Sequence, residues 1–194
     1  MQLNNQYDII VAGAGIAGIS AAIKAGSMGS RVLLVEHYPF LGGMSSAGMV
    51  SPFMKSKSGD IELVKGLYKK YEQGLIQRGG MIDNGFYSWA FRSVANQYLA
   101  DSGVDIAYNC DVMDAVTDGQ KLTGIKTATP QGKKLLKADY FIDTTGDAQL
   151  IELGGFPWEK GDIEQGDLQA LTLFFRMGGI DVKATAEYSK QHQD

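Results

Sequence analysis

Three closely spaced glycines near the N-terminus have the spacing of a phosphate-binding turn. Gly13, Gly15 and Gly18 follow an apolar segment, and Glu36 ends the next apolar segment. In such a turn the first glycine permits the tight bend, the second lets the backbone approach a pyrophosphate, and the third allows close packing of helix on sheet. The helix that follows offers unpaired N–H groups to an anion. The pattern predicts a βαβ unit over residues 7–36 that binds one dinucleotide.

Glu36 indicates which dinucleotides the turn would accept. A carboxylate at the end of the second strand can accept hydrogen bonds from both hydroxyls of an adenosine ribose, and it repels a 2′-phosphate. Glycine makes up 25 of the 194 residues, so the spacing alone is weak evidence. The alternative is a ligand-free turn followed by a surface Glu36. The small residues Ala22, Ala25 and Gly29 lie where a helix would pack closely on the strand, and this context favours the binding site.

Other residue types that commonly carry chemistry are scarce. Cys110 is the single cysteine, which excludes an intrachain disulfide, a paired-cysteine redox motif and a thiolate metal cluster. His37 and His192 are the two histidines, and neither has a second metal ligand at useful spacing. We interpret His37 as a loop residue near the nucleotide rather than a proton-transfer group. The sequence therefore predicts no metal site and identifies no catalytic residue.

Composition and charge exclude several classes of partner. The formal net charge is −4 with a pI near 5.2, and 44% of the residues are hydrophobic. An acidic chain without a basic cluster is not expected to bind nucleic acid or an anionic membrane surface. We find neither a signal peptide nor a membrane-spanning run, so we expect a cytoplasmic location.

The predicted elements would place the glycine turn at the edge of a sheet. An apolar strand at 8–12 precedes the turn, and a glycine- and serine-rich loop at 37–53 follows Glu36 and is expected to cover a site. Apolar residues then recur at helical spacing over 61–77 and 86–100.

Short strands dominate the next part of the sequence. We predict one strand at 104–108, then an antiparallel meander of three strands, and then a separate buried strand at 140–142. The order suits an α/β fold in which a parallel sheet binds a nucleotide at its carboxyl edge and the meander covers one face. The meander strands are 111–116, 122–129 and 133–136.

Four motifs in this order resemble the FAD-dependent oxidoreductase family of the glutathione-reductase-like superfamily, and the resemblance covers nearly the whole chain. They are the turn at 13–18 with Glu36, the Phe-Leu-Gly-Gly-Met loop at 40–44, Ile-Asp-Thr-Thr-Gly-Asp-Ala at 142–148, and the segment at 172–181. The resemblance implies a Rossmann-like FAD/NAD(P)-binding domain with a parallel sheet and an antiparallel β-meander. It also implies FAD as cofactor and hydride transfer through flavin N5.

The resemblance also implies roles for individual positions. The glycine turn and Glu36 would hold the pyrophosphate and adenosine ribose, the loop at 42–44 would lie along the flavin, Val112 would meet the adenine through its backbone, and 145–147 would flank the diphosphate. Arg176 faces either a substrate anion or a structural ion-pair partner, and we favour the ion pair. The implied cofactor-binding residues are Gly13, Ala14, Gly15, Ile16, Ala17, Gly18, Glu36, His37, Gly42, Gly43, Met44, Val112, Thr145, Gly146 and Asp147.

Members of the resembled family continue with a substrate-covering sheet and a C-terminal return into the first domain. We therefore interpret residues 1–167 as an FAD-binding domain and 168–194 as the start, beginning with a strand, of an incomplete substrate domain. On this interpretation the chain is an N-terminal fragment that would hold FAD weakly or not at all, and it would need a C-terminal portion or an oligomer. Its other partners would be a small-molecule substrate and an electron donor or acceptor.

Two other functions fit part of the pattern. An NAD-dependent dehydrogenase would share the βαβ unit, but it should lack the loop at 40–44, the meander and the Thr-Gly-Asp strand end. A non-catalytic nucleotide-binding module would share the whole site and lack turnover. Reduction of a disulfide substrate is disfavoured because that chemistry uses paired cysteines beside the flavin.

Overall fold

The N-terminal βαβ unit forms as predicted. The computed structural model describes residues 4, 6–54, 56–82, 85–161 and 167–192. Strand β1 (Gln6–Ala12) and strand β2 (Val32–Val35) are parallel neighbours, and helix α1 (Ile16–Ser27) connects them. All four residues of β2 are buried, because the strand is covered on both faces.

The predicted helix at 61–77 is wrong in its first turns. Residues Lys57–Ser58 (β3) and Ile61–Glu62 (β4) form a small antiparallel hairpin, and helix α2 spans Leu67–Gln77. Gly66 has φ +68°, outside the helical region, so the helix cannot begin before it. Leu63 and Val64 are exposed, and the apolar spacing there does not mark a buried face.

The second predicted helix forms within two residues of its expected bounds. A two-stranded ribbon of Met81–Ile82 (β5) and Gly85–Phe86 (β6) precedes helix α3 (Ser88–Asp101). Strand β7 (Asp105–Ala107) follows and pairs in parallel with β2.

The meander differs from prediction in its last strand. Strands β8 (Asp111–Asp118) and β9 (Lys121–Thr129) are antiparallel, as expected. The segments predicted separately at 133–136 and 140–142 are one continuous strand, β10 (Gly132–Asp143). Its first half pairs antiparallel with β9 and its second half pairs parallel with β1. Residues 137–139 lie between the two predicted strands, but Lys137 pairs with both β1 and β9 and Ala138 pairs with β1, so the strand continues across the expected gap.

The sheet therefore has the strand order β7-β2-β1-β10-β9-β8 and a core on each face. On one face, side chains of the parallel strands pack with α1, α2 and α3, among them Val11, Leu34 and Phe91. On the other face, Ile10 and Leu33 pack with meander residues such as Ile125. The α/β fold and the meander's position on one face are confirmed.

The segment after β10 is mostly outside this core. Helix α4 (Gln149–Leu153) packs on β8, and helix α5 (Val182–Gln191) has no buried residue. The strand predicted from 168 does not form, and residues 167–180 have no regular structure. A strand needs a neighbour that accepts and donates backbone hydrogen bonds, and no described strand pairs with this segment. The boundary at 167/168 stays a prediction. None of the described helices is long and apolar enough to cross a membrane.

Candidate functional site

Two glycines of the N-terminal turn are required by the backbone conformation and close packing of the turn. Gly13 has φ +91°, and a Cβ there would lie 2.8 Å from the carbonyl oxygen of Thr144. A Cβ on Gly18 would overlap the carbonyl oxygen of Gly13 and the hydroxyl of Thr144. Both positions therefore exclude larger residues because strand, turn and helix meet there.

Two other glycines leave open space. A Cβ added to Gly15 or to Gly146 would meet no heavy atom within 4 Å. Gly15 is the N-cap residue of α1, with φ −70° and ψ 179°, so its conformation does not require glycine. Both glycines line the cleft described below, so a ligand in it could approach the backbone closely at these two positions.

Glu36 joins the turn to the chain that follows β2. Its side chain is buried, at 5% exposure, and lines the cleft described below. One carboxylate oxygen accepts a hydrogen bond from the Ala14 N–H at 2.7 Å, and the other accepts from the Tyr38 N–H at 2.8 Å. A carboxylate has about four acceptor positions, so two are still able to accept ligand hydroxyls.

The loop at 40–44 rests on the glycine turn. The Gly42 N–H donates to the Ala14 carbonyl at 2.8 Å, and a Cβ on Gly43 would lie 3.0 Å from the Gly15 Cα. Gly42 and Gly43 have φ of +114° and +48°, and Gly43 begins a 3₁₀ turn (Gly43–Ser45) that includes the exposed Met44. The positive φ at Gly42 turns the chain over the start of α1.

The Thr-Thr-Gly-Asp segment at the end of β10 forms the opposite wall. The Thr144 hydroxyl lies 2.7 Å from the Ala12 carbonyl oxygen and 2.8 Å from that of Gly13, so it can donate to either. Asp143 accepts hydrogen bonds from the Thr145 N–H and hydroxyl and from the N–H groups of Leu150 and Ile151. These contacts hold the loop at 144–148 beside the glycine turn and at the start of α4.

Together these elements enclose a cleft of about 720 Å³. Thirteen of the fifteen cofactor-binding residues implied by the sequence line it. Ala14 and Gly18 do not line it, since Ala14 supports Glu36 through its N–H and Gly18 packs against the turn. The lining residues that sequence reasoning missed are Val35, Tyr38, Ser45, Cys110, Asp111, Thr144, Gln149 and Glu152.

Most of these missed residues are next to predicted ones, so adjacency in the sequence was the available signal. Tyr38 follows His37, and Cys110 and Asp111 precede Val112. Gln149 and Glu152 are three apart on α4, which places them on one helix face. The Gln149 side-chain amide also donates to the Val112 carbonyl at 3.0 Å, which ties α4 to β8.

The charged groups at the β2 and β8 end of the cleft are few. His37 Nδ1 lies 3.8 Å from the Asp111 carboxylate, and both side chains are more than half exposed. Cys110 is 1% exposed, and its burial raises the pKa of the thiol. Within the described residues, no group of three or more His, Cys, Asp and Glu side chains is placed to hold a metal ion.

Comparison with known proteins shows which family the chain belongs to. The profile of the family described as FAD dependent oxidoreductase matches residues 8–194. A glutathione reductase of Debaryomyces hansenii is 26% identical over 190 residues, which covers 87% of this chain and 37% of that protein. An NADH:fumarate oxidoreductase of Klebsiella pneumoniae is 34% identical over 207 aligned positions, which covers 92% of this chain and 21% of that protein. The chain thus spans well under half the length of these relatives.

Solved structures agree on the fold. The L-proline dehydrogenase of P. horikoshii superimposes with a TM-score of 0.62 at 14% identity, over 82% of this chain and 58% of that one. An identity this low is evidence for the shared fold alone.

Proposed function

Because the chain belongs to the FAD-dependent oxidoreductase family, we propose that its cleft binds FAD and that the whole protein is a flavin-dependent oxidoreductase. The observation that carries the proposal is the pair of open positions at Gly15 and Gly146, which face one cleft from two different motifs. No packing contact explains either glycine, whereas a diphosphate between the two loops would need both.

Each part of the cleft supports one part of the cofactor. The start of α1 supplies N–H groups and the positive end of a helix dipole for the diphosphate. Glu36 offers its remaining acceptor positions to the adenosine ribose, and His37 and Val112 lie on the adenine side. Met44, at the far end of the loop at 42–44, lies on the flavin side.

When bound, the flavin supplies a two-electron acceptor and donor, which is the chemistry that oxidoreductases of this kind use. The described residues bind and orient it. Thr144 and Asp143 position the loop at 144–148, and the glycine turn excludes side chains from the diphosphate path. We assign no general acid or base.

The partners of this chemistry are a small-molecule substrate and an electron donor or acceptor. The relatives are named for glutathione and for NADH and fumarate, so their names support small metabolites and nicotinamide cofactors as partner classes. The whole protein would include a further C-terminal portion or an oligomeric contact. The acidic composition is compatible with the predicted cytoplasmic location.

Ligand titration separates the three functions. We expect calorimetry to detect FAD binding that is tighter than binding of FMN, NADH or NADPH, since FMN lacks the adenosine half that Glu36 would hold. Binding of NADH in preference to FAD would instead favour an NAD-dependent dehydrogenase. FAD binding without reduction of the bound flavin by an electron donor such as NADH would favour a non-catalytic module.

A further inference from the structure

A second cavity of about 280 Å³ lies at the other end of the loop that covers the first cleft. Its walls come from Met49 and Ser51, from Ile82 of β5, from the region where β6 leads into α3, and from residues 174–176. Its volume is just below the range of about 300–1,000 Å³ that is usual for drug-sized ligands, so it suits a small molecule.

One charge and several aromatic rings define the chemistry of this cavity. Arg176 is the single charged residue among those that line it, and the rings belong to Phe86, Tyr87, Phe174 and Phe175. Within the described part of the chain, no carboxylate lies within ion-pair distance of Arg176. A guanidinium presents parallel N–H donors that match a carboxylate, and flat apolar walls suit a flat apolar body.

The cavity is adjacent to the flavin side of the first cleft. Met44 lines the first cleft and Met49 lines the second. The loop between them folds back on itself, because the Val50 N–H donates to the Met44 carbonyl at 2.9 Å. A Cβ on Gly48 would also meet the Met44 side chain. The hydrogen bond from Val50 joins a residue that lines the first cleft to the chain between Met49 and Ser51, which line the second cavity.

We propose that the second cavity is the substrate site and that it binds a small carboxylic acid with a flat apolar body. Arg176 holds the carboxylate, and the aromatic walls hold the remainder of the molecule. The assignment to substrate rests on the proposed FAD function of the first cleft. The anion site itself rests on Arg176 and its aromatic surroundings.

Benzoate is a suitable probe because it combines a carboxylate with a flat apolar ring, and benzamide is its neutral counterpart. We expect calorimetry to show benzoate binding that weakens at least about tenfold in Arg176→Gln, because a charge-assisted hydrogen bond is lost. Arg176→Lys should retain part of the affinity. Arg78→Gln is the matched control, since Arg78 lies at the end of α2 and bonds to Gly74 and Ser93 instead. Benzamide affinity should be unaffected by Arg176→Gln.

Several outcomes would overturn the anion site: no benzoate binding, equal benzoate affinity in wild type and Arg176→Gln, or equal losses in Arg176→Gln and Arg78→Gln. The titrations are repeated with saturating FAD while the flavin absorption spectrum is recorded. A benzoate-induced spectral shift that Arg176→Gln abolishes supports the substrate assignment. Benzoate binding through Arg176 without FAD binding, in this chain and in a C-terminally extended one, would contradict the proposed function and leave the anion site standing. FAD binding without Arg176-dependent benzoate binding would contradict the anion site and leave the proposed FAD function standing.

Discussion

Single residues of the cleft both support the fold and line the proposed ligand site, and Glu36 is the clearest case. Its carboxylate accepts two backbone N–H groups, from Ala14 in the glycine turn and from Tyr38 after β2. Removing it would leave two donors without an acceptor in a buried place, which is costly in itself. The effect of a Glu36 variant on ligand binding must therefore be separated from its effect on stability.

Glu36→Gln keeps the shape of the side chain and removes its charge and one acceptor oxygen. We expect FAD affinity to fall by about 1–3 kcal/mol, the range for hydrogen bonds to charged groups, together with a lower melting temperature. Calorimetry and thermal unfolding on one sample measure both. Glu72→Gln makes the same change on α2, where Glu72 pairs with Lys69, and should leave FAD affinity intact. Unchanged affinity in Glu36→Gln would remove Glu36 from the ribose site.

Substitutions at different glycines of the turn distinguish an effect on FAD binding from an effect on folding. Gly15→Val places a side chain in open space, so we expect native circular dichroism and complete loss of FAD binding. Gly18→Val would overlap the Gly13 carbonyl and should lower the melting temperature strongly. Gly178→Val, which also meets open space but outside the cleft, is the neutral control. FAD binding by Gly15→Val would show that no diphosphate passes over this residue.

Cys110 provides a chemical probe of the cleft because it is the single cysteine. Folding raises the pKa of its thiol, so the native state favours the neutral thiol. The resulting stabilisation is complete below the unfolded pKa, about 8.5, and is lost as pH rises through the folded value. We expect iodoacetamide to react slowly at pH 7.5, faster at higher pH, and more slowly again with FAD bound. Equal rates in folded and guanidinium-unfolded protein would contradict this expectation.

At the scale of elements, β10 connects the two halves of the structure. Its first half belongs to the meander and its second half lies beside β1, so its end delivers Asp143 next to the glycine turn. Asp143 does not line the cleft, yet its carboxylate accepts from both the loop at 144–148 and the start of α4. Strand, loop and helix are thus fixed to one another by a single side chain.

Asp143→Ala should therefore weaken FAD binding without removing a ligand contact. We expect a loss of about 1–3 kcal/mol of unfolding free energy, because buried N–H donors lose their acceptor, and weaker FAD affinity as the loop loosens. Denaturant unfolding and calorimetry measure the two effects. Asp147→Ala is the counterpart, since Asp147 lines the cleft and should affect affinity with little change in stability. Equal stability of Asp143→Ala and wild type would contradict the positioning role.

At the scale of the whole molecule, the core ends before residue 161 and the following segment is apolar but uncovered. Leu171 is 98% exposed and Leu173 is 84% exposed, and Phe175, Met177 and Val182 are also largely exposed. Contiguous exposed apolar surface of this kind favours association with other protein surfaces. The meander and the helices, by contrast, cover both faces of the sheet.

We expect the isolated chain to self-associate through this segment. Sedimentation velocity should show concentration-dependent association that the double variant Leu171→Lys, Leu173→Lys reduces, with no change in melting temperature. Met28→Lys changes an exposed apolar residue at the end of α1 and should not alter association. A wild-type chain that is monomeric at all concentrations would show that this surface does not drive association.

The sequence by itself determined the βαβ unit, the meander and most of the cleft, because those features depend on local rules. A strand–glycine turn–helix pattern is encoded within about thirty neighbouring residues, and Glu36 and Gly146 are recognisable from their own motifs. The fused strand β10 could not be predicted from local pattern. Residues 137–139 separate the two predicted strands, and only the pairing of Lys137 with both β1 and β9, and of Ala138 with β1, shows that one strand continues.

Only the tertiary structure decided which motif residues face the cleft and which support it. Ala14 and Gly15 are neighbours in the sequence motif and both are predicted cofactor-binding residues, but Gly15 lines the cleft, whereas Ala14 donates its N–H to Glu36 and does not line it. Asp143 and Arg176 are likewise ordinary charged residues until the fold places the first behind the loop at 144–148 and the second in an aromatic cavity. The physical reason differs between the two residues. The cavity of Arg176 is formed with segments distant in the sequence, such as those of Met49 and Phe86, whereas the contacts of Asp143 require its own loop to turn back within eight residues. The apolar pattern of the sequence specifies neither.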